Sequence, residues 1–331
     1  MPSIEAISKP PAARREGSPW TGLGAVFLKE FADHLGGARM RVLEWLVLLF
    51  GMAAVYSAIQ DLRSVAAQDP FLFLRLFTLA RDPLPAFVGL LGFLIPLVAI
   101  GLGFDAVNSE FNRRTLSRVL AQPIYRDALL FGKFLASLAT IAVSLVALWL
   151  LIVGLGLLLL GVPPSGEEVA RGLVFLAVSI AYAGVWLAAA ILFSVLFRSA
   201  ATSALCALGL WLLLSVLWPM LAQFIPQAVL PSDTMIVFGV PSVEQLQMQL
   251  TLARLSPNTL YAEAVQALLN PSTRALGLVF PAQLVGALRG TPLPFGQSLL
   301  LVWPQITGLI ASAIVLFAIT YVAFQRQEVR A

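Results

Sequence analysis

The sequence predicts an all-α membrane protein: six transmembrane helices, an N-terminal amphipathic surface helix and a large outer-face segment between spans five and six. Three observations carry this. Of 331 residues, 59% are hydrophobic and 11% charged, with a mean hydropathy of +0.90. A soluble domain carries about 25% charged residues, so this chain needs lipid as part of its solvent. Its apolar runs are long: Leu84 to Phe104 and Phe134 to Gly166 contain no Asp, Glu, Lys, Arg or His. About 20 apolar residues at 1.5 Å each cross the hydrocarbon core, whereas barrel strands are short and alternating.

Residues 1–19 hold Pro, Ser, Lys and Arg with no apolar core and read as a flexible tail. Arg14-Arg15 is no twin-arginine signal, because the apolar run after it is short and closed by Lys29. Residues 20–37 form the amphipathic helix. Trp20, Gly24, Phe27, Phe31 and Leu35 recur at helical steps, opposite Lys29, Glu30 and Asp33. That pattern suits a helix lying at the membrane surface; the alternative is a cytosolic extension of span one. Gly36-Gly37 separates this helix from the first span. His34, the one histidine, has no partner for a metal, and Cys206, the one cysteine, reads as a small core residue.

The membrane-spanning body covers 42–324, with spans at about 42–60, 84–104, 132–160, 172–197, 201–222 and 299–324. Arg41 and Glu44 are expected to snorkel outward. Lys and Arg divide fourteen against seven between alternate sides. The richer side holds both termini, including the tail 325–331, and is expected to be cytoplasmic. The protein is therefore expected in the plasma (inner) membrane.

The segment 225–298 is too long for a simple connector and is expected to fold over the bundle. Ser256-Pro257 reads as an N-cap with proline at the first helical position, opening a helix through Leu269 that Asn270-Pro271 stops. Ala275 to Leu288 is uncharged but short and broken by Pro281, so it reads as interfacial or re-entrant rather than as a seventh span.

No catalytic or metal site is legible, and no cofactor is expected in this chain. Gly132-Lys133 mimics a phosphate-binding loop, but Asp127 and Phe134 occupy the places that need glycine and Ser or Thr. Spans two to six lack deep titratable groups, which weighs against an ion-coupled carrier. Nothing points to nucleic acid.

The most informative stretch is the charged island 105–133, DAVNSEFNRRTLSRVLAQPIYRDALLFGK, between two uncharged spans. Glu110 stands four residues before Arg114, the favourable order for a helical ion pair. Leu116, Val119 and Leu120 share a face, and Pro123 ends the helix. Arg126 and Lys133 flank span three. A short helix with an apolar stripe and charged rim suits docking into a partner's groove. The competing reading is an ordinary basic loop on lipid headgroups.

Glu110, Thr115-Leu116, Leu120, Pro123-Ile124, Arg126, Leu129-Leu130 and Gly132-Lys133 resemble the loop of ABC type-2 permeases, most like the branch with the nitrous-oxide-reductase maturation permease. Arg114 departs from the glycine usual in that family. The resemblance implies a coupling loop at 105–131. Its docking residues would be Glu110, Arg114, Thr115, Leu116, Val119, Leu120, Pro123 and Arg126, with Trp20, Phe27 and Phe31 on the surface helix. It implies a second permease subunit (homo- or heterodimeric) and a separate cytosolic ATPase that holds ATP and Mg. The function so implied is the permease subunit of an ATP-driven exporter. Two other readings stand beside it: a non-transporting scaffold that binds or matures an outer-face partner through 225–298, and a secondary carrier.

Overall fold

The computed structural model describes residues 20–62, 71–80, 86–112, 125–161, 163–230, 242–274, 276 and 292–326. Helices and no strands are found among them. α1 (Leu23–Gly36) is parted by Gly37 from α2 (Ala38–Leu62). α3 (Leu72–Thr78) precedes α4 (Phe87–Gly103), which turns into α5 (Asn108–Asn112). α6 (Arg126–Leu160) and α7 (Gly166–Leu196) follow. α8 (Ala200–Leu212) passes through a π turn, Leu213–Leu217, into α9 (Trp218–Val229). α10 (Val243–Ala253), α11 (Pro257–Leu269) and α12 (Phe295–Arg326) complete the described chain.

Six stretches are long and apolar enough to cross a membrane: Met40–Gln60, Phe87–Asn112, Arg126–Leu160, Gly166–Leu196, Ala200–Val229 and Phe295–Arg326. They fall on the six expected spans but overrun them. At 1.5 Å per residue α6 is ~52 Å long against ~30 Å of hydrocarbon, so its charged first turns project beyond the core.

The centre of the bundle is α7. It packs against α12, α4, α11, α6 and α8. Its start is fixed by a capping box: Ser165 Oγ accepts from the Glu168 N–H while Glu168 reaches back to the Ser165 N–H. Its middle, Ala183 to Ala190, is rich in small residues and buried. That lets neighbouring backbones come close, which is how helices associate in lipid. At Gly103 of α4 a Cβ would stand 2.8 Å from the Ala190 Cβ, so glycine sets that crossing. The outward faces of α2, α8 and α12 carry exposed Trp45, Leu49, Leu205, Leu300 and Trp303, as lipid contact requires.

The segment between spans five and six is more than a cover. α11 spans the residues that its Ser-Pro start and Asn-Pro stop predict, and it buries Tyr261, Ala264, Val265 and Leu268 against α7, α12 and α4. Ser256 does not cap it, however; its hydroxyl donates to the Leu214 carbonyl at 2.7 Å. The π turn explains this. Trp218 N–H bonds the Leu213 carbonyl, five residues back, and Pro219 has no N–H to give. Leu214 is thus left without its helical donor, and Ser256 supplies one. α10, opened by a Ser242–Gln245 capping box, and the buried α3 were not legible as helices in the sequence. Apart from Leu276, the 275–288 stretch lies outside the described residues.

Two side chains differ from expectation. Glu44 does not snorkel outward: it is half-buried and accepts a 2.9 Å hydrogen bond from Ser144, midway along α6. Glu30 is not on the polar face of α1. The face packed on α6 runs through Leu23, Val26, Phe27, Glu30 and His34, while Trp20, Leu28 and Leu35 are exposed.

Candidate functional site

The charged island begins where span two ends. Three hydrogen bonds fasten that end to the last turn of α7 and the residues just after it. Ser194 Oγ accepts from the Val107 and Asn108 N–H groups at 2.9 and 3.2 Å, and Asn112 Nδ2 donates to the Arg198 carbonyl at 2.9 Å. Residues 113–124 lie outside the described residues, and with them Arg114, Thr115, Leu116, Val119, Leu120 and Pro123. The two predicted site residues that are described, Glu110 and Arg126, bracket that segment: Glu110 in α5, Arg126 as the first residue of α6.

Glu110 leads into a buried charge cluster. Lys133 Nζ lies 2.8 Å from Glu110 Oε1 and 3.0 Å from Glu30 Oε1. The Lys133 side chain is 5% exposed, the two carboxylates 14–16%. One ammonium therefore ties α1, the end of span two and the start of span three together. Outside it, Lys29 bridges Glu30 and Asp33 at 3.1 Å each. One turn along α1, His34 Nε2 and Ser137 Oγ are 3.0 Å apart.

Glycine makes this approach possible. A Cβ at Gly132 would lie 2.7 Å from Val26 Cγ1, so α1 rests directly on the α6 backbone there. The Gly-Lys pair that mimics a nucleotide loop is thus a packing and pairing device. The sequence flagged both residues; it did not show that Glu30 reaches inward to them. The aromatic residues assigned to α1 divide. Phe27 and Phe31 stack at 5.7 Å, and Trp20, though exposed, sets its ring edge-on to Phe131 at 5.1 Å.

The cluster also shapes titration. Burial pushes the Glu30 carboxyl up, but the charge and hydrogen bond of Lys133, helped by Lys29, win and hold it below its ordinary 4.5. Burial lowers the Lys29 ammonium, and its two carboxylate partners outweigh that and raise it. Burial dominates at His34 and holds its imidazole below the ordinary 6.5.

At the opposite end of α7 a second network ties the segment between spans five and six to the bundle. Arg171 is fully buried. Its guanidinium donates to Glu167 twice (3.0 and 2.9 Å), to the Leu268 and Leu293 carbonyls (2.9 and 2.6 Å) and to Ser298 Oγ at 3.1 Å. Nearby, Glu263 joins Arg254 at 3.0 Å to Gln305 at 2.8 Å. No group of three or more possible metal ligands is found among the described residues.

Two described ends of a loop, braced by a buried three-residue charge cluster against a surface helix, belong to a six-helix membrane body. A sequence model of the ABC-2 family transporter proteins matches residues 24–329. The chain belongs to the ABC-2 transporter family. The match takes in α1 through α12 and the whole island, and it assigns no branch within the family. No curated protein matches this chain. This ABC-2 transporter chain is thus a membrane domain with several transmembrane helices.

Proposed function

We propose that this ABC-2 chain is the permease subunit of an ATP-driven exporter, and that it couples to a separate cytosolic ATPase through the loop 105–131. The observation that carries the reading is Lys133 bonded to both Glu110 and Glu30. A push on the loop acts at once on the end of span two, the start of span three and α1. A headgroup-binding loop would need no such buried brace. In this reading α1 lies on the cytoplasmic surface, both termini are cytoplasmic, and the membrane is the plasma membrane. ATP and Mg are held by the motor subunits, and two permease chains, identical or not, form the pore.

The scaffold reading predicts a free-standing platform between spans five and six. α11 buries its side chains in the bundle and Arg171 cross-links the segment to α7, which favours a built-in part of the moving body.

The test uses the permease co-purified with its ATPase in liposomes. Leu116→Asp and Leu120→Asp are expected to abolish the permease's stimulation of ATP hydrolysis without loss of insertion, because a buried charge costs several kcal/mol, about 3 or more. Normal stimulation in both variants would overturn the docking role. Ion-gradient-driven uptake by this chain alone would establish the carrier instead.

A further inference from the structure

A groove of about 920 Å³ opens sideways between α6 and α12, floored by α7. Its floor is made of Ala177, Ala181 and Gly184, and aromatic side chains line its lower part. At the end nearest α1 stands a carboxylate, Asp127. Among these α6, α7 and α12 lining residues it is the charged one.

We propose that this groove holds one acyl chain of a phospholipid whose headgroup amine, as in phosphatidylethanolamine, sits against Asp127. Four observations converge. First, the groove is apolar and lies on a membrane-spanning surface, so hydrocarbon fills it: water gains no partners there, and an empty apolar wall forfeits its contacts. Second, from Tyr321 to Ile310 along α12 is eleven residues, ~16 Å, about the depth of one leaflet. Third, Trp20 lies at the mouth, edge-on to Phe131, where an indole marks the headgroup level.

The fourth is charge. Asp127 accepts hydrogen bonds from the Gln325 amide and the Tyr321 hydroxyl, both uncharged, so neither offsets its negative charge. A primary ammonium offers three donors to the lone pairs that remain; a choline headgroup offers none.

The experiment is native mass spectrometry of the full chain, after exchange into micelles doped with equal phosphatidylethanolamine and phosphatidylcholine of identical chains. The wild type is expected to retain the ethanolamine lipid at least fivefold over the choline lipid. Asp127→Asn should bring the ratio near one. Gly184→Leu should lose both lipids; a Cβ there makes only ordinary contacts, at 3.8 Å, so the side chain fills the groove without displacing backbone. Equal retention of the two lipids by the wild type overturns the proposal, as does a ratio unchanged in Asp127→Asn. Chains that pair through this face, with Gly184→Leu shifting dimer to monomer and no lipid retained, overturn it too. Should either variant fail to fold, the headgroup comparison on the wild type still decides.

Discussion

Lys133 holds three elements together through one side chain. Its ammonium is buried and satisfied by two carboxylates from different elements. Removing it takes the shared ammonium from Glu110 and leaves Glu30 with the exposed Lys29, and breaking such a buried pair costs about 3–5 kcal/mol. Lys133→Met should therefore undock α1, read as a widened spin-label distance between exposed positions 28 and 135. The triple variant, Glu30→Gln with Glu110→Gln and Lys133→Met, should recover much of the docking, since the buried ammonium and both of its carboxylates go together. Acidification acts in the same direction. Glu30 and His34 both sit below their ordinary values, so the folded state binds fewer protons than the unfolded one. Docking of α1 should be full above pH 6.5, weaken as pH falls through 6.5 where His34 must charge, and weaken again below 4.5 where Glu30 is neutralised. Lys29, raised instead, contributes a loss only above its ordinary 10.5. Tighter docking at pH 5 than at pH 7.5, by the same labels, would contradict the assignment.

At the scale of elements, apolar run length placed the six spans, because a bilayer demands about 20 uncharged residues whatever the fold. The Ser-Pro and Asn-Pro signals bounded α11 for an equally local reason. What sequence did not reveal depends on partners distant in the chain. Glu30 looked solvent-facing because periodicity reports one's own helix, not Lys133 over a hundred residues away. The π turn was invisible because only Ser256 makes the lost carbonyl bond affordable. Arg171 falls just before the expected span 172–197, where sequence shows only a charge at a span's edge, yet its side chain is fully buried and makes five hydrogen bonds. Its planar fork makes five bonds, while Lys has three donors on a flexible stem. Arg171→Lys should thus lower thermal stability nearly as much as Arg171→Leu, by about 3 kcal/mol or more, in a detergent melting assay. Rescue by lysine would mean that charge alone matters there.

At the scale of the whole molecule, two polar clamps sit at opposite ends of an apolar bundle. One joins α1, α5 and α6; the other joins α7, α11 and the start of α12. α7 runs between them, buried along most of its length. The family match agrees with the resemblance at the level of the family; Leu116 to Leu120, the proposed docking stripe, lie outside the described residues. A rigid shaft with a handle at one end suits a body that an external motor moves. The most direct measurement is cysteine labelling at positions 116 and 120 in a Cys206→Ala background, with a membrane-impermeant reagent applied to each side. The account predicts labelling from the cytoplasmic side alone, and protection when the ATPase is bound. Labelling from the outer side alone would contradict it.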